Sequence, residues 1–179
     1  MKASPQCYAC LEKLAQQAVG LTGLKGNAFK NAVDTAVRCL HSEFSLDVVS
    51  VTVASKIHRT VREISGNSDP YRQMKRREIR LSSRLFPLIS SIYGTDIADL
   101  IKLAAVGNTI DFFRDLDAIQ SEMLRPVNFY IDDTAEFISK LKVSNRILFL
   151  ADNAGEIRFD IPLLNHLRQS SSVTYTAPH

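Results

Sequence analysis

The residues best suited to chemistry stand together near the C-terminal end of the sequence, in Asp152-Asn153-Ala154-Gly155-Glu156. They follow a continuous apolar run, residues 147–151, which has the composition and length of a strand buried on both faces. A carboxylate and a carboxamide at the end of a strand are hard oxygen donors suited to a divalent cation such as Mg or Mn. The pattern therefore indicates a metal-binding corner at the carboxyl end of a parallel strand.

Gly155 and the sequence after it extend this interpretation to a phosphate group. Gly155 permits a tight turn, and a helix whose first turn presents N–H groups to an anion is predicted from four apolar residues, Ile157, Ile161, Leu164 and Leu167. Because proline inside a helix costs about 3 kcal/mol, Pro162 requires that this helix either begin near Asp160 or start at Gly155 and bend. The alternative is an ordinary turn without function.

A second glycine followed by polar residues occurs upstream, in Gly107-Asn108-Thr109-Ile110-Asp111. It ends an apolar helix for which Asp96 is the predicted N-cap. We expect Asn108 and Asp111 to face the same cleft as Asp152. The alternative is a glycine helix stop with a local asparagine turn.

Three other sets of polar residues receive structural interpretations. Cys7-x-x-Cys10 lies in the first turn of a predicted helix and, with Cys39 and His41, could supply four zinc ligands, but reduced cysteines that pack as small hydrophobes are the preferred interpretation. His58 is assigned to a helix face. A cluster of basic residues is interpreted as a solvated helix face rather than a nucleic-acid site, because no aromatic residues are interleaved with Arg72, Lys75, Arg76, Arg77 and Arg80.

The composition is that of a soluble globular protein, with 179 residues, 45% hydrophobic and 23% charged. A net charge of +3 is too small to imply a polyanionic partner. No apolar run has the length of a membrane span, and the first residues lack the apolar centre of a secretion signal, so we expect a cytoplasmic protein without a membrane partner. Three cysteines argue against a disulfide framework.

Helical periodicity dominates the first part of the chain. It predicts helices over residues 5–20, 29–44 and 54–64, a long helix after Asp69-Pro70 that Pro87 should bend, and a short helix near residues 134–141. A strand, a helix and a second strand near residues 172–176 follow. We therefore predict an α + α/β fold, with an all-helical domain at 1–130 and the first part of a Rossmann-like parallel α/β domain at 131–179. One crossover helix cannot cover both faces of a two-stranded sheet, so this second part is expected to be incomplete at its C-terminus.

Four groups of residues, in this order and at these separations, resemble the damage-control phosphatase family in its compact archaeal and bacterial branch. They are Cys7-x-x-Cys10, Ile57-His58-Arg59 with Gly66 and Asp69-Pro70-Tyr71, Val106-Gly107-Asn108-x-x-Asp111, and Asp152-Asn153-Ala154-Gly155-Glu156 with Asp160. The resemblance spans essentially the whole chain. The last two groups are the more specific ones.

The resemblance implies a helical domain packed on a Rossmann-like domain and hydrolysis of small phosphorylated metabolites, such as sugar phosphates or damaged cofactor precursors, with Mn, Co, Ni or Mg. Asp152 and Asn153 would be metal ligands, and Glu156 would position substrate or water with Gly155 and Asn108 beside it. Asp111 would line the same cleft. The reaction would be in-line attack by water, with the cation acting as a Lewis acid.

Family members are longer and supply, beyond the end of this sequence, a further aspartate ligand and a lysine that meets the phosphate. The resemblance therefore implies a truncated member, whose activity as this chain stays open. A homo-oligomer through the incomplete sheet is a further expectation. Two other function classes stay open. A nucleotide- or S-adenosylmethionine-binding transferase would need a glycine-rich loop, whereas the chain has seven glycines and no Gly-x-Gly. A non-catalytic interaction module would expose a large apolar patch.

Overall fold

The computed structural model describes residues 2–110 and 121–177. Its helices are α1 (Pro5–Gly20), α2 (Gly26–Glu43), α3 (Ser50–Ser65), α4 (Arg72–Ser90), α5 (Ile97–Gly107), α6 (Thr134–Leu141) and α7 (Ile157–Leu167). Its strands are β1 (Arg146–Leu150) and β2 (Ser172–Thr176). Helices followed by a β-α-β segment are the arrangement that the sequence predicted, so the α + α/β class is confirmed. Within the described ranges, no helix combines the length and the apolar character needed to cross a membrane.

The chain divides into two compact units, Met1–Gln73 and Met74–His179. The second unit includes α4 from Met74 onward, α5 and the β-α-β segment, and within it α5 packs on α7. The boundary near residue 130 marks where helical sequence gives way to α/β sequence, and it stays a prediction.

The first unit is a packing of α1, α2 and α3 on one another. Small and branched side chains close its core, which includes Ala15, Ala18, Ala36, Leu40 and Ile57. The predicted first helix, residues 5–20, is confirmed. Ser4 precedes α1 in extended backbone, and α3 stops at Gly66, whose φ of 64° lies in the left-handed region that glycine adopts most readily.

Helices α4 and α5 supply the first half of the second unit. Asp96 caps α5 as predicted, because its carboxylate accepts the backbone N–H of Asp99 at 3.0 Å. Pro87 lies inside α4, and the bend that we expect there stays a prediction. Leu85 and Ile89 of α4 join Leu103 and Val106 of α5 in one buried cluster.

The two strands are parallel neighbours joined by α7, with Arg146 opposite Ser172 and Leu150 opposite Thr176. Burial of β1 on both faces was a wrong prediction. Ile147 and Phe149 pack towards the helices, whereas Leu148 and Leu150 are 61% and 73% exposed. The physical reason is that, within the described residues, the helical cover of α5 and α7 lies on one face of the strand.

Helix α7 begins at Ile157, between the two predicted alternatives, and Pro162 lies inside it. The helix predicted from the four apolar residues is confirmed, with Ile157 and Ile161 37% and 40% exposed. The buried face is shifted around the helix and consists of Phe159, Asp160, Leu163 and Leu167. The buried face of α7 thus contains the carboxyl group of Asp160.

Candidate functional site

The site residues of the C-terminal motif occupy the connection between β1 and α7. The strand pairing extends one residue beyond β1, since the N–H of Ala151 donates to the carbonyl of Thr176 at 2.9 Å. Residues 152–156, called here the Asp152 loop, then turn directly into α7. The loop therefore stands at the carboxyl end of a parallel strand, the place where α/β folds hold ligands.

The Asp152 loop is closed by its own side chains. One carboxylate oxygen of Glu156, Oε1, accepts the backbone N–H groups of Asp152 and Asn153, the latter at 3.1 Å. The other oxygen, Oε2, accepts the side-chain amide of Asn153 at 3.3 Å. In return, Oδ1 of Asn153 accepts the N–H groups of Gly155 at 2.9 Å and Glu156 at 3.0 Å. These five bonds hold one compact loop conformation.

This arrangement separates the roles of the three polar residues of the loop. Glu156 is 5% exposed and its carboxylate is directed at the loop backbone. Asn153 has both ends of its amide engaged within the loop. Asp152 is exposed, and its carboxylate forms no hydrogen bond or ion pair with the described residues. Asp152 is therefore the loop carboxylate most open to a ligand.

Two glycines allow the two predicted motifs to meet. A methyl group on Gly107 would lie 2.7 Å from Cβ of Phe159 and 3.3 Å from Cα of Glu156. A methyl group on Gly155 would lie 2.9 Å from Cγ2 of Ile110. Neither position has room for a side chain, so the C-terminal end of α5 rests directly on the start of α7.

Asn108 follows this contact immediately, and it is exposed at the end of α5. Its backbone neighbour Gly107 lies so close to Glu156 that an added methyl group would be 3.3 Å from Cα of Glu156, so the structure brings the two motifs together as far as Asn108. Asp111 lies outside the described residues. The cleft roles of Asn108 and Asp111 stay predictions.

The sequence analysis gave no role to Asp160, which is the second buried acid of this region. It is 3% exposed, and its Oδ2 has no hydrogen-bond partner among the described residues. Burial, and next the charge of Glu156 one helical turn away, raise the pKa of Asp160 to about 7. Burial and the charges of Asp160 and Glu156 also raise the pKa of Tyr175, which places the phenol of β2 near the two acids.

The chemistry of the donors fits a hard cation only in part. Asp152 offers a free carboxylate, and Asn153 is adjacent to it, but the two lone pairs of its amide oxygen already face N–H groups. In residues 2–110 and 121–177, no three His, Cys, Asp or Glu side chains are grouped so that they could hold a metal ion. A cation at Asp152 would therefore need donors in addition to the described acidic residues.

The alternative zinc site is not assembled in the described residues. Cys7 is half-buried and accepts the N–H of Ser4 at 3.4 Å, and hydrogen bonds from Ser4 lower the pKa of its thiol. Cys10 is exposed, and Nε2 of His41 lies 2.9 Å from the hydroxyl of Tyr8. The three cysteines are free thiols.

His58 lies on α3, as assigned from the sequence, and packs edge-on against the ring of Tyr71 with centroids 5.5 Å apart. Burial, and next the charge of Arg62, lower the pKa of this histidine. Its contacts are those of a packed helix-face residue.

Known proteins resemble this chain over most of its length. A model of the damage-control phosphatase ARMT1-like domain matches residues 3–177. The damage-control phosphatase PH1575 of Pyrococcus horikoshii is 27% identical over 177 residues, covering 96% of this chain and 61% of that protein. A damage-control phosphatase of Archaeoglobus fulgidus is 30% identical over 179 residues, covering 94% of this chain and 62% of that protein.

The fold is also that of a solved structure. The crystal structure of a DUF89 family protein, ph1575 from Pyrococcus horikoshii, superposes with a TM-score of 0.83 at 26% sequence identity. The match covers 99% of this chain and 64% of the solved one. The chain thus spans about three fifths of the length of these relatives.

Proposed function

Since the chain belongs to the family of the damage-control phosphatase ARMT1-like domain, we propose that it is a phosphatase that uses a divalent metal and acts on small phosphorylated metabolites. The relatives named damage-control phosphatases support the reaction class. Mn, Co, Ni and Mg are the candidate ions, because the donors at the Asp152 loop are oxygens. The cytoplasm is the proposed location, consistent with three free thiols.

The observation that carries this proposal is the exposed carboxylate of Asp152 on a loop that its own side chains hold closed. A catalytic ligand has to be held in place before substrate arrives, and the bonds from Glu156 and Asn153 do this without using the Asp152 carboxylate. The loop also follows a parallel strand and precedes a helix, as in other phosphate-handling sites.

In this proposal Asp152 and Asn153 hold the cation, which when bound would offset negative charge on the phosphoryl oxygens. Asp152 contributes a full carboxylate. The Oδ1 of Asn153 would share its lone pairs between the loop N–H groups and the ion, so we rank it as the weaker ligand. Glu156 accepts hydrogen bonds from the backbone N–H groups of both residues. In this proposal it positions the substrate indirectly, by holding Asp152 and Asn153 in place.

The substrate would lie over the start of α7 and beside the end of α5. The first N–H groups of α7 favour an anion at this point. Asn108 stands exposed on the neighbouring helix end, where its amide suits a hydroxyl or phosphate oxygen of a small metabolite. Asp111 is proposed to line the same cleft.

Hydrolysis of p-nitrophenyl phosphate by the 179-residue chain, with and without added Mn²⁺, Co²⁺, Ni²⁺ or Mg²⁺, tests the proposal. The Archaeoglobus fulgidus relative serves as the positive control. We expect phosphate release that depends on one or more of these ions and stops on addition of EDTA. Absence of metal-stimulated release under conditions in which the relative is active would contradict the proposal for this chain.

A further inference from the structure

Ser82 is a buried polar residue of α4 that the proposed reaction does not yet use. Its side chain is fully buried, with 0% exposure, on the same face as Leu85 and Ile89. A serine on the apolar face of a helix is unfavourable unless its hydroxyl has a partner, because burying an unpaired hydroxyl is costly. The partners of Ser82 therefore explain why a serine occupies this position.

The hydroxyl of Ser82 reaches across to the Asp152 loop. Its Oγ lies 2.9 Å from the carbonyl of Glu78, one turn earlier in α4, and within hydrogen-bond distance of the carbonyl of Gly155, which is 73 residues away in the chain. A hydroxyl has one proton, so it donates to one of these oxygens at a time. Glu78 is the local acceptor that many helical serines use, whereas Gly155 is a tertiary one.

Gly155 is packed closely against its neighbours at the point where its carbonyl meets Ser82. Gly155 is buried, and a methyl group at this position would lie 3.2 Å from Cβ of Glu78 and 2.9 Å from Ile110. The loop backbone therefore rests on α4 at the point where the Ser82 hydroxyl meets it. Because Gly155 stands between Asn153 and Glu156, movement at this carbonyl would disturb the bonds that close the loop.

We propose that Ser82 is a positioning residue, which fixes the Asp152 loop on α4 by donating its hydroxyl proton to the carbonyl of Gly155. Its connection to metal binding rests on the proposed function, whereas its effect on the loop does not. Ser82 touches neither substrate nor cation. It acts through the backbone of Gly155 and from there through Glu156 and Asn153, so that the Asp152 carboxylate keeps one position.

Hydrogen exchange of the 179-residue chain, read amide by amide, tests this inference with Ser82→Ala and with Ser83→Ala as the matched control. Ser83 is the next residue of α4 and is exposed. In Ser82→Ala we expect exchange at the amides of residues 152–156 to become about tenfold faster, while amides in the centres of α5 and α7 keep their rates. Ser83→Ala should match the wild type throughout.

Ser82→Cys replaces the hydroxyl by a larger thiol that is a weaker donor, and it takes the place of Ser82→Ala if the alanine variant does not fold. We expect its exchange rates in the loop to lie between those of the wild type and Ser82→Ala. Unchanged exchange in the loop, or equal acceleration throughout the second unit, would overturn the inference, because the first shows no coupling and the second shows general destabilisation.

Binding of Mn²⁺ alone, followed by calorimetry, gives a second readout. We expect the dissociation constant to rise about tenfold in Ser82→Ala and to stay unchanged in Ser83→Ala. Faster loop exchange with no Mn²⁺ binding by any variant, wild type included, would keep Ser82 as the positioning residue of the loop and would count against the proposed metal site. Faster loop exchange with unchanged Mn²⁺ affinity would overturn the connection between Ser82 and the metal.

Discussion

Glu156 and Asn153 bind each other in both directions. The side-chain amide of Asn153 donates to Oε2 of Glu156 at 3.3 Å, and the backbone N–H of Glu156 donates to Oδ1 of Asn153 at 3.0 Å. The three-residue spacing of the pair makes this possible, as in the reciprocal bonds that cap many helix starts. The carboxyl group of Glu156 is thus a structural element of the Asp152 loop.

Removal of the Glu156 carboxyl group is predicted to open the loop. Glu156→Ala leaves the N–H groups of Asp152 and Asn153 without their acceptor, so we expect the free energy of unfolding to fall by about 1–3 kcal/mol. Glu156→Gln keeps one acceptor oxygen and should lose less. Urea unfolding measures both values.

The matched control for this series is Glu136→Gln on α6, whose exposed carboxylate forms an ion pair with Lys140 at 2.7 Å. We expect it to change stability by less than about 0.5 kcal/mol. Equal stability of Glu156→Ala and the wild type would show that the carboxylate does not hold the loop.

Gly107 is predicted to tolerate no side chain. In Gly107→Ala the added methyl group would lie 2.7 Å from Cβ of Phe159, which is fully buried, so α5 and α7 would have to separate. We expect a loss of about 1–3 kcal/mol. Thermal unfolding gives the comparison with Gly20→Ala at the end of α1, where no described atom outside the local helix backbone lies within 4 Å of the added methyl group. That control should be neutral or slightly stabilising. Similar behaviour of both variants would contradict close contact at Gly107.

The raised pKa of Asp160 predicts that the free energy of unfolding depends on pH. Its pKa is about 7 in the folded chain and about 3.8 when unfolded, so between these values the folded state holds a proton that the unfolded state has released. Stability from this group is therefore greatest at low pH and declines as pH rises to about 7. Burial is the main cause of the raised pKa of Asp160, and the charge of Glu156 adds to it.

Asp160→Asn removes this titration. Relative to the wild type, the variant should become more stable with increasing pH between about 4 and 7, by up to about 1.4 kcal/mol per pH unit. Urea unfolding at several pH values measures the difference, with the exposed Asp133→Asn as the control. A constant difference between Asp160→Asn and the wild type across this range would refute a raised pKa.

The cysteine pair is predicted to be independent of the metal reaction. Cys7 accepts its hydrogen bond from Ser4 within the first turn of α1, and the described residues assemble no zinc site around it. Cys7→Ser should therefore leave the dependence of hydrolysis on Mn²⁺ unchanged. Elemental analysis tests whether the cysteines bind zinc. If the purified chain contains stoichiometric zinc and Cys7→Ser does not, the zinc interpretation would be restored.

The sequence predicted the helices well where local signals mark their ends. Ser4-Pro5, Asp96 and Gly66 are such signals, and all three act as expected. Burial around β1 was predicted less well, because Leu148 is apolar in type yet exposed through the tertiary arrangement. Periodicity cannot reveal which face receives a partner element.

The residue types of the candidate site could also be read from the sequence, but not their contacts. Asp152 and Asn153 stand where the strand-end pattern put them. The inward direction of the Glu156 carboxylate could have been suspected from its three-residue spacing to Asn153. Ser82 and Asp160 gave no such signal, since their roles depend on residues far away in the chain or on burial.

The most direct test of the central claim is a comparison of Asp152→Asn with the wild type in Mn²⁺-dependent hydrolysis of p-nitrophenyl phosphate. The carboxylate is exposed and forms no hydrogen bond or ion pair within residues 2–110 and 121–177, so we expect stability to change by less than about 0.5 kcal/mol. Turnover should fall at least about 100-fold, roughly 2.7 kcal/mol in the activation free energy. Equal Mn²⁺-dependent turnover in both proteins would contradict the assignment of Asp152 as a metal ligand.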